Sequence, residues 1–334
     1  MRRRLQLFAG IVISLAAVWY SMRGVRLVEV WKALRHANLL FFVLVMLATL
    51  AGFLVRALRW RSFLSGRKTS LDHLFSATMI GFMANNVLPL RLGEFVRAWA
   101  LARSESYSKT MVLATVVVER VVDMLSMLII LGVTLLVHPI EQGSRAADLT
   151  QAGATSLIVL TVGLTLVLVV LERRPSLAHG LVRRVSTHLP ERHRHKGEAA
   201  LDHFVEGLRL FRDGPRLLWV FLLSFGMWAF FALAQQLSLE ALGIHLPWYA
   251  GLTLMIIVGF AIMAPAAPGY IGTMNLACVA GLLLFGVGNR DLANSYSWFY
   301  WLGQWLPVTL AGLYYLRRGG LSLSSLHQAE EPEA

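Results

Sequence analysis

The stretch NNVLPLRLGEFVRAWALAR, residues 85–103, places four charged side chains in a chain that is otherwise strongly apolar. Pro89 and Gly93 interrupt it, and a proline in particular breaks a helix because it lacks the backbone N–H. A broken backbone beside charged groups, inside a hydrophobic region, is tolerated in a membrane protein only where protein or water surrounds it. The fold therefore depends on how the chain enters and leaves this stretch.

The composition is that of a polytopic membrane protein. Hydrophobic residues make up 57% of the 334 positions and charged residues 15%, against about a quarter charged in a typical soluble domain. The apolar residues come in blocks, such as 39–55, 154–171 and 217–233. These blocks reach about the 17 to 25 residues that a helix needs to cross a bilayer.

The net charge of +12 does not indicate nucleic acid, because the cations lie in the segments between the apolar blocks. The single cysteine, Cys278, excludes an internal disulfide framework and a multi-cysteine metal site. His193 and His195 lie two residues apart in a basic loop without a carboxylate cluster, which is too little for a metal site. We expect no metal, no cofactor and no nucleic-acid partner.

Charge counting predicts the topology. The segment 172–216 holds ten Lys or Arg and is expected to be cytoplasmic. Two predicted spans, 154–171 and 108–137, precede this segment, so the residues before them, 91–109, are expected to be cytoplasmic as well. The cations of 56–68 predict the same side for that segment. The apolar piece 71–90 between them must then enter the membrane and return, as a re-entrant hairpin broken at Pro89 and Gly93.

A second break, PAAPGYIG at 265–272, allows two interpretations. The apolar pieces around it are either two short full spans or a second re-entrant hairpin entered from outside. The second interpretation makes the two halves inverted copies, with the broken elements facing each other, as in many transporters. The segment 23–40 carries four cations on the face that this topology puts outside; its spacing favours an amphipathic interfacial helix.

The long helix predicted at 108–137 contains a second charged cluster, Glu119, Arg120 and Asp123. Arg120 can reach Asp123 at i+3, and Glu119 and Asp123 share a helix face. Such groups are costly in a bilayer unless they pair or meet water. Either they form a structural ion-pair network with Arg91, Glu94 and Arg97, or they line a cavity in which arginines grip an anionic head group.

The three motifs NNVLPLRLGEFVRAWALAR, ERVVD and PAAPGYIGTMN, in this order, resemble the lysylphosphatidylglycerol synthase transmembrane region, or flippase-like integral membrane family. The resemblance covers roughly residues 5–316 and implies a membrane domain that moves lipids or lipid-linked head groups between leaflets. Asn275 is a departure, since many relatives carry an acidic residue there. The motifs place in the predicted substrate site Asn86, Arg91, Glu94, Arg97, Glu119, Arg120 and Asp123, and among the helix breakers Pro89, Gly93, Pro265, Pro268, Gly269 and Gly272.

The fold class expected is all-α, a polytopic membrane helix bundle with about six full spans, two re-entrant helical hairpins and an inverted repeat. Residues 1–316 form the membrane domain, with 172–216 as a basic cytoplasmic loop, and 317–334 form a polar tail that we expect to be disordered. Both termini are expected in the cytoplasm, and the location in the inner (plasma) membrane. The aromatic run 296–307 is predicted to form an interfacial belt, with a lipid-contacting groove as the alternative.

The function expected is translocation of a lipid between leaflets without enzymatic activity. The candidate lipids are an anionic phospholipid, an aminoacylated lipid, a glycolipid or a hopanoid. No nucleophile motif, nucleotide-binding loop or synthase-sized soluble domain occurs in the sequence. The alternatives are an integral-membrane transferase that acts on a lipid-linked substrate, and a structural partner of a lipid-synthesis enzyme. The expected partners are membrane lipids and a separate lipid-modifying or glycosyl-transfer enzyme.

Overall fold

The computed structural model describes residues 25–64, 69–88, 92–137, 213–263 and 267–322, with a few single positions between them. All regular elements in these ranges are helical, without a strand among them. The helices are α1 (Leu27–His36), α2 (Leu39–Arg61), α3 (Leu71–Val87), α4 (Gly93–Glu105), α5 (Lys109–Val137), α6 (Gly214–Ala241), α7 (Ala250–Ala261), α8 (Thr273–Leu284) and α9 (Arg290–Arg318), with a 3₁₀ turn at Pro268–Tyr270.

Some predicted features lie outside the described residues. Among the site and breaker residues these are Pro89, Arg91 and Pro265. The apolar run 5–22, most of 138–212 and the tail beyond residue 322 are also outside. Two of the described helices, α2 and α6, are long and apolar enough to cross a membrane, judged by length and composition.

The chain divides into two compact units. The tip unit takes in Met1–Leu54, Thr78–Arg97 and Gly226–Ala334, and the charge unit takes in Val55–Ala77 and Ala98–Phe225. In the described part of the tip unit, apolar side chains from α2, α6, α7, α8 and α9 form one buried core. Cys278 is a free, fully buried member of that core.

Helices α3 and α4 run antiparallel as a hairpin. Near the bend the two backbones touch, since a Cβ atom built on Gly81 would lie 2.7 Å from the carbonyl oxygen of Gly93. At the open end, the Ser70 N–H donates to Oε1 of Glu105 at 3.1 Å, and Nδ1 of His73 lies 2.7 Å from the same oxygen. The chain therefore leaves this hairpin beside the point where it enters, as the charge count predicted.

Helices α7 and α8 form a second hairpin. A Cβ atom on Gly281 of α8 would lie 2.5 Å from Cδ2 of Leu254 on α7, so the two helices are closely packed at this glycine. The rings of Tyr249 and Phe285, at the open end, have centroids 6.2 Å apart. Each helix has only 12 residues, or about 18 Å at 1.5 Å per residue.

Helix α1 is amphipathic, as predicted for the segment 23–40. Val30 is buried, whereas Leu27, Val28 and Trp31 are exposed. Its first residues are held to the start of α9, because the backbone N–H and the guanidinium of Arg26 both donate to the carboxylate of Asp291 at 2.9 to 3.1 Å. Whether this helix lies at a membrane surface stays a prediction.

In the charge unit, the end of α2 is fixed by hydrogen bonds on two sides. Nε1 of Trp60 donates to Oγ1 of Thr115 on α5 at 3.0 Å. Nε of Arg216, at the start of α6, donates to the carbonyl oxygen of Ser62 at 2.9 Å. These contacts set the register in which α2 presents its charged residues to α5.

Candidate functional site

The bends of the two hairpins meet in the tip unit, against the middle of α9. A Cβ atom on Gly269 would lie 3.4 Å from the carbonyl oxygen of Asn86 and 3.1 Å from the indole of Trp305. Gly269 has a φ of +68°, a conformation that favours glycine. The two predicted breaks are therefore neighbours in space, although about 180 residues separate them in sequence.

Side chains tie both bends to α9. Nδ2 of Asn86 donates to Oγ1 of Thr309 at 3.0 Å and approaches the carbonyl oxygen of Trp305 at 3.4 Å. Nε1 of Trp301 donates to the carbonyl oxygen of Gly269 at 2.8 Å. Asn86, predicted as a substrate-binding residue, thus has structural partners at the bend.

At the start of each return helix, an asparagine side chain accepts a hydrogen bond from a backbone N–H. Oδ1 of Asn85 accepts from the N–H of Gly93 at 2.8 Å, at the start of α4. Oδ1 of Asn275 accepts from the N–H of Gly272 at 3.1 Å, and its Nδ2 donates to Oγ of Ser297 at 3.1 Å. The amide at position 275 uses both its acceptor and its donor, which a carboxylate could not do.

Arg97 and Glu94 lie one turn apart near the start of α4. The side chain of Arg97 is 1% exposed, and that of Glu94 is 30% exposed. Nη1 of Arg97 is 4.0 Å from Oε2 of Glu94. The Arg97 stem lies against Gly81, where a Cβ atom would come within 2.6 Å of the Cβ of Arg97. The pair places one buried guanidinium beside the first bend.

A buried ion-pair network occupies the charge unit. Arg56 and Arg59 of α2 contact Glu119 and Asp123 of α5 through four N–O distances between 2.6 and 3.5 Å. All four residues are less than 5% exposed. Arg120 adds the predicted i+3 contact, with Nη1 at 3.3 Å from Oδ2 of Asp123. Nη1 of Arg59 donates to Oγ of Ser224 on α6 at 2.8 Å.

The sequence analysis counted Arg56 and Arg59 as cytoplasmic cations and missed them as partners of Glu119 and Asp123. One signal could have found them: no Gly, Pro, Asn or Ser ends the apolar helix between residues 53 and 61. Residues 56 and 59 then share a helix face at i and i+3. Spacing alone could not show which element carries the opposing carboxylates.

Trp298, Trp301 and Trp305 follow one another along α9. The rings of Trp301 and Trp305 are stacked with centroids 5.6 Å apart, and Trp298 meets Trp301 edge to face. The midpoint of α9 falls at residue 304 of a helix that runs from Arg290 to Arg318. Whether these rings form the predicted interfacial belt or a lipid-contacting groove stays a prediction.

Comparison with known proteins agrees with the motifs. The family model described as the lysylphosphatidylglycerol synthase TM region matches residues 7–312. The chain belongs to this family. The resemblance drawn from the three motifs is therefore confirmed, and the lysylphosphatidylglycerol synthase TM family gives the coarse assignment of a lipid-related membrane protein.

Members of the UPF0104 membrane proteins are similar to this chain. One from Pyrococcus horikoshii is 24% identical over 342 residues, covering 97% of this chain and 100% of the relative. Another, from Methanothermobacter thermautotrophicus, is 26% identical over 263 residues, covering 74% and 76% of the two chains. The family and the apolar helices together support a membrane location.

Proposed function

We propose that this protein translocates a lipid between the leaflets of the membrane, with the head group passing beside the bends of the two hairpins. The candidate substrates are an anionic phospholipid, an aminoacylated lipid, a glycolipid or a hopanoid. One observation carries the proposal: the two broken bends meet each other at the middle of α9. Broken helices that converge between spans are how many transporters build a substrate site.

Helix lengths favour two re-entrant hairpins. At about 18 Å, α7 and α8 are each too short for a hydrocarbon core of about 30 Å. The contacts of the bends with α9 involve residues 301, 305 and 309, close to its midpoint at 304. If α9 spans the bilayer, both bends lie near the midplane. About six full spans with two such hairpins would give the inverted repeat.

Arg97 is the described residue that we assign to the lipid phosphate. Its planar guanidinium can hold a phosphate through two hydrogen bonds, which a lysine ammonium cannot match. Glu94, 4.0 Å away, would orient it. The start of α4 adds backbone N–H groups of the kind that bind anions. Arg91, which lies outside the described residues, is proposed as a second phosphate ligand.

We infer that the protein acts without enzymatic chemistry. Glu119 and Asp123 are surrounded by guanidinium groups, which suits a counter-ion better than a general acid. Membrane lipids are the proposed partners, and a separate lipid-modifying or glycosyl-transfer enzyme would supply the substrate. The proposed location is the inner membrane, with both termini in the cytoplasm.

The proposal is tested by leaflet exchange in proteoliposomes. Arg97→Lys keeps the charge but loses the guanidinium fork, so we expect exchange of a phosphate-bearing lipid to fall by about tenfold or more. Arg103→Lys is the matched control, because Arg103 is an exposed cation of the same helix. Exchange by folded Arg97→Lys protein at the wild-type rate would refute the assignment of Arg97. A chemically altered lipid would favour the transferase alternative.

A further inference from the structure

One ion-pair network buries more charge than the stability of the helix bundle requires. Its members are Arg56, Arg59, Glu119 and Asp123. Burying an ionised side chain away from water has a large desolvation cost. Buried ion pairs recover this cost only partly, and well-packed apolar side chains in their place are often as stable. Four fully buried charges between α2 and α5 therefore need an explanation other than the stability of the bundle.

The guanidinium of Arg59 is not saturated by its contacts. Nε of Arg59 is buried and has no hydrogen-bond partner among the described residues. Its Nη1 is bonded to a neutral hydroxyl, that of Ser224, and only its Nη2 faces Glu119 and Asp123. A guanidinium with an unused buried N–H can donate a further hydrogen bond to an anionic oxygen.

The guanidinium groups of Arg56 and Arg59 converge on the same two carboxylates. Arg56 and Arg59 each contact both carboxylates, and Nη1 of Arg56 and Nη2 of Arg59 share Oε1 of Glu119 at 3.5 and 3.2 Å. Two arginines that converge on oxygen atoms are the donor set that recognises a phosphate. In the observed arrangement the oxygens come from the protein itself.

We propose that Arg56 and Arg59 form an anion seat in which Glu119 and Asp123 are the resident counter-ions, and that a lipid phosphate replaces them during transport. The proposal rests on the function proposed above and adds a second phosphate site to it. The carboxylates neutralise the seat when it is empty of substrate. Asp123 retains Arg120 as a partner after displacement, because the two are on the same helix.

The first test distinguishes an anion-binding site from an ion-pair network that only holds the helices together. The double variant Arg59→Met/Glu119→Leu removes one cation and one anion together, so it should fold with little change in melting temperature. Ser224 keeps a partner in this variant, because its hydroxyl also donates to the carbonyl oxygen of Val220. Arg56 and Asp123 keep their contact of 2.9 Å.

Because the double variant lacks the guanidinium of Arg59, its exchange of an anionic phospholipid should fall by about tenfold or more. Arg61→Met is the matched control, since Arg61 is an exposed cation of the same helix. Wild-type exchange by the folded double variant overturns the proposal. If the double variant does not fold, the second test decides alone.

The second test uses inorganic phosphate as the probe. Asp123→Asn removes one resident counter-ion without changing the size of the side chain, so the variant should melt at a lower temperature than the wild type. Phosphate should recover most of that loss, and chloride at equal ionic strength should not. Equal recovery by the two salts overturns the proposal. This readout does not depend on transport, so a wild-type protein that moves no lipid would refute the proposed function and leave the seat standing.

Discussion

Asn275 holds the start of α8 through both ends of one amide, accepting from Gly272 and donating to Ser297. The resemblance described in the sequence analysis implies an acid at this place in relatives, so the substitution Asn275→Asp is informative. The side chain is fully buried, and a carboxylate there would lose the donor and bring in a charge. We expect a loss of about 2 kcal/mol or more in the free energy of unfolding.

Thermal unfolding in detergent measures this change. The same substitution at Asn289, the exposed N-cap of α9, is the matched control, because Asn and Asp are equally good at an N-cap. Equal stability of the two variants would contradict the assigned role of Asn275. A gain in transport by Asn275→Asp would show that an acid at this position supports transport.

Gly93 permits the closest approach in the first hairpin. A Cβ atom there would overlap the carbonyl oxygen of Gly81 and lie 2.5 Å from the side chain of Asn85. Gly93→Ala should therefore destabilise the protein by about 1 to 3 kcal/mol, the usual cost of overpacking. Gly132→Ala, within α5 and with open space around it, should be neutral or stabilising by up to about 1 kcal/mol. Equal melting temperatures for the two variants would contradict the close packing.

Single residues show how far sequence reasoning could reach. The contact of Arg120 with Asp123 follows from i+3 spacing and is confirmed. The pairing of Glu119 and Asp123 with Arg56 and Arg59 could not be derived, because the arginines come from a helix about 60 residues away. Local periodicity fixes which side chains share a face of one helix, whereas tertiary packing decides which helix lies opposite.

The hairpins are the elements that the sequence predicted best. Proline, glycine and the balance of charges located both breaks, and α3 and α4 return as expected. For the second break the sequence left two interpretations. The short length of α7 and α8 supports the second hairpin that we propose, and Gly272 sets the start of α8 as its N-cap.

Cysteine labelling tests the re-entrant arrangement. In a Cys278→Ala background, Arg61→Cys and Arg103→Cys should react with an impermeant reagent from the same side of the membrane. His245→Cys and Gly288→Cys should both react from the other side, because they flank the open end of the second hairpin. All four positions are exposed. Opposite sides for residues 61 and 103 would rule out a re-entrant first hairpin.

The attachment of α1 to α9 should depend on pH. The backbone N–H of Arg26 first of all, and then its guanidinium, hold the pKa of Asp291 below the ordinary value of 3.8. The folded state therefore binds the proton less readily than the unfolded state. The stabilising contribution of the contact between Arg26 and Asp291 is complete above pH 3.8 and is lost as the pH falls through the lowered pKa of Asp291.

Hydrogen exchange of the α1 amides, compared between the wild type and Asp291→Asn at each pH, measures this effect. Protection of α1 in the wild type should exceed that in the variant at about pH 6, and the difference should vanish at about pH 2. A difference that persists unchanged at the lower pH would show that the carboxylate is not what holds α1.

For the whole molecule, composition and charge distribution were enough to assign an all-helical membrane protein, and the motif order was enough to assign the family. Only the structure shows that the two bends meet, because no local feature of the sequence connects Asn86 with Gly269 or Thr309. The membrane domain 1–316, its basic loop 172–216 and the tail 317–334 stay predictions. So does the assignment of the site residues to a substrate.

The contact of Asn86 with Thr309 has a consequence for biosynthesis. The two residues are 223 positions apart, and a ribosome adds about 5 to 20 residues per second. The first bend therefore leaves the ribosome roughly 10 to 45 s before the helix that completes its hydrogen bonds. During that interval a nascent chain in the membrane carries an asparagine amide without its final partners. Until translation ends, that amide needs other hydrogen-bond partners, because an unpaired polar group in an apolar environment is costly.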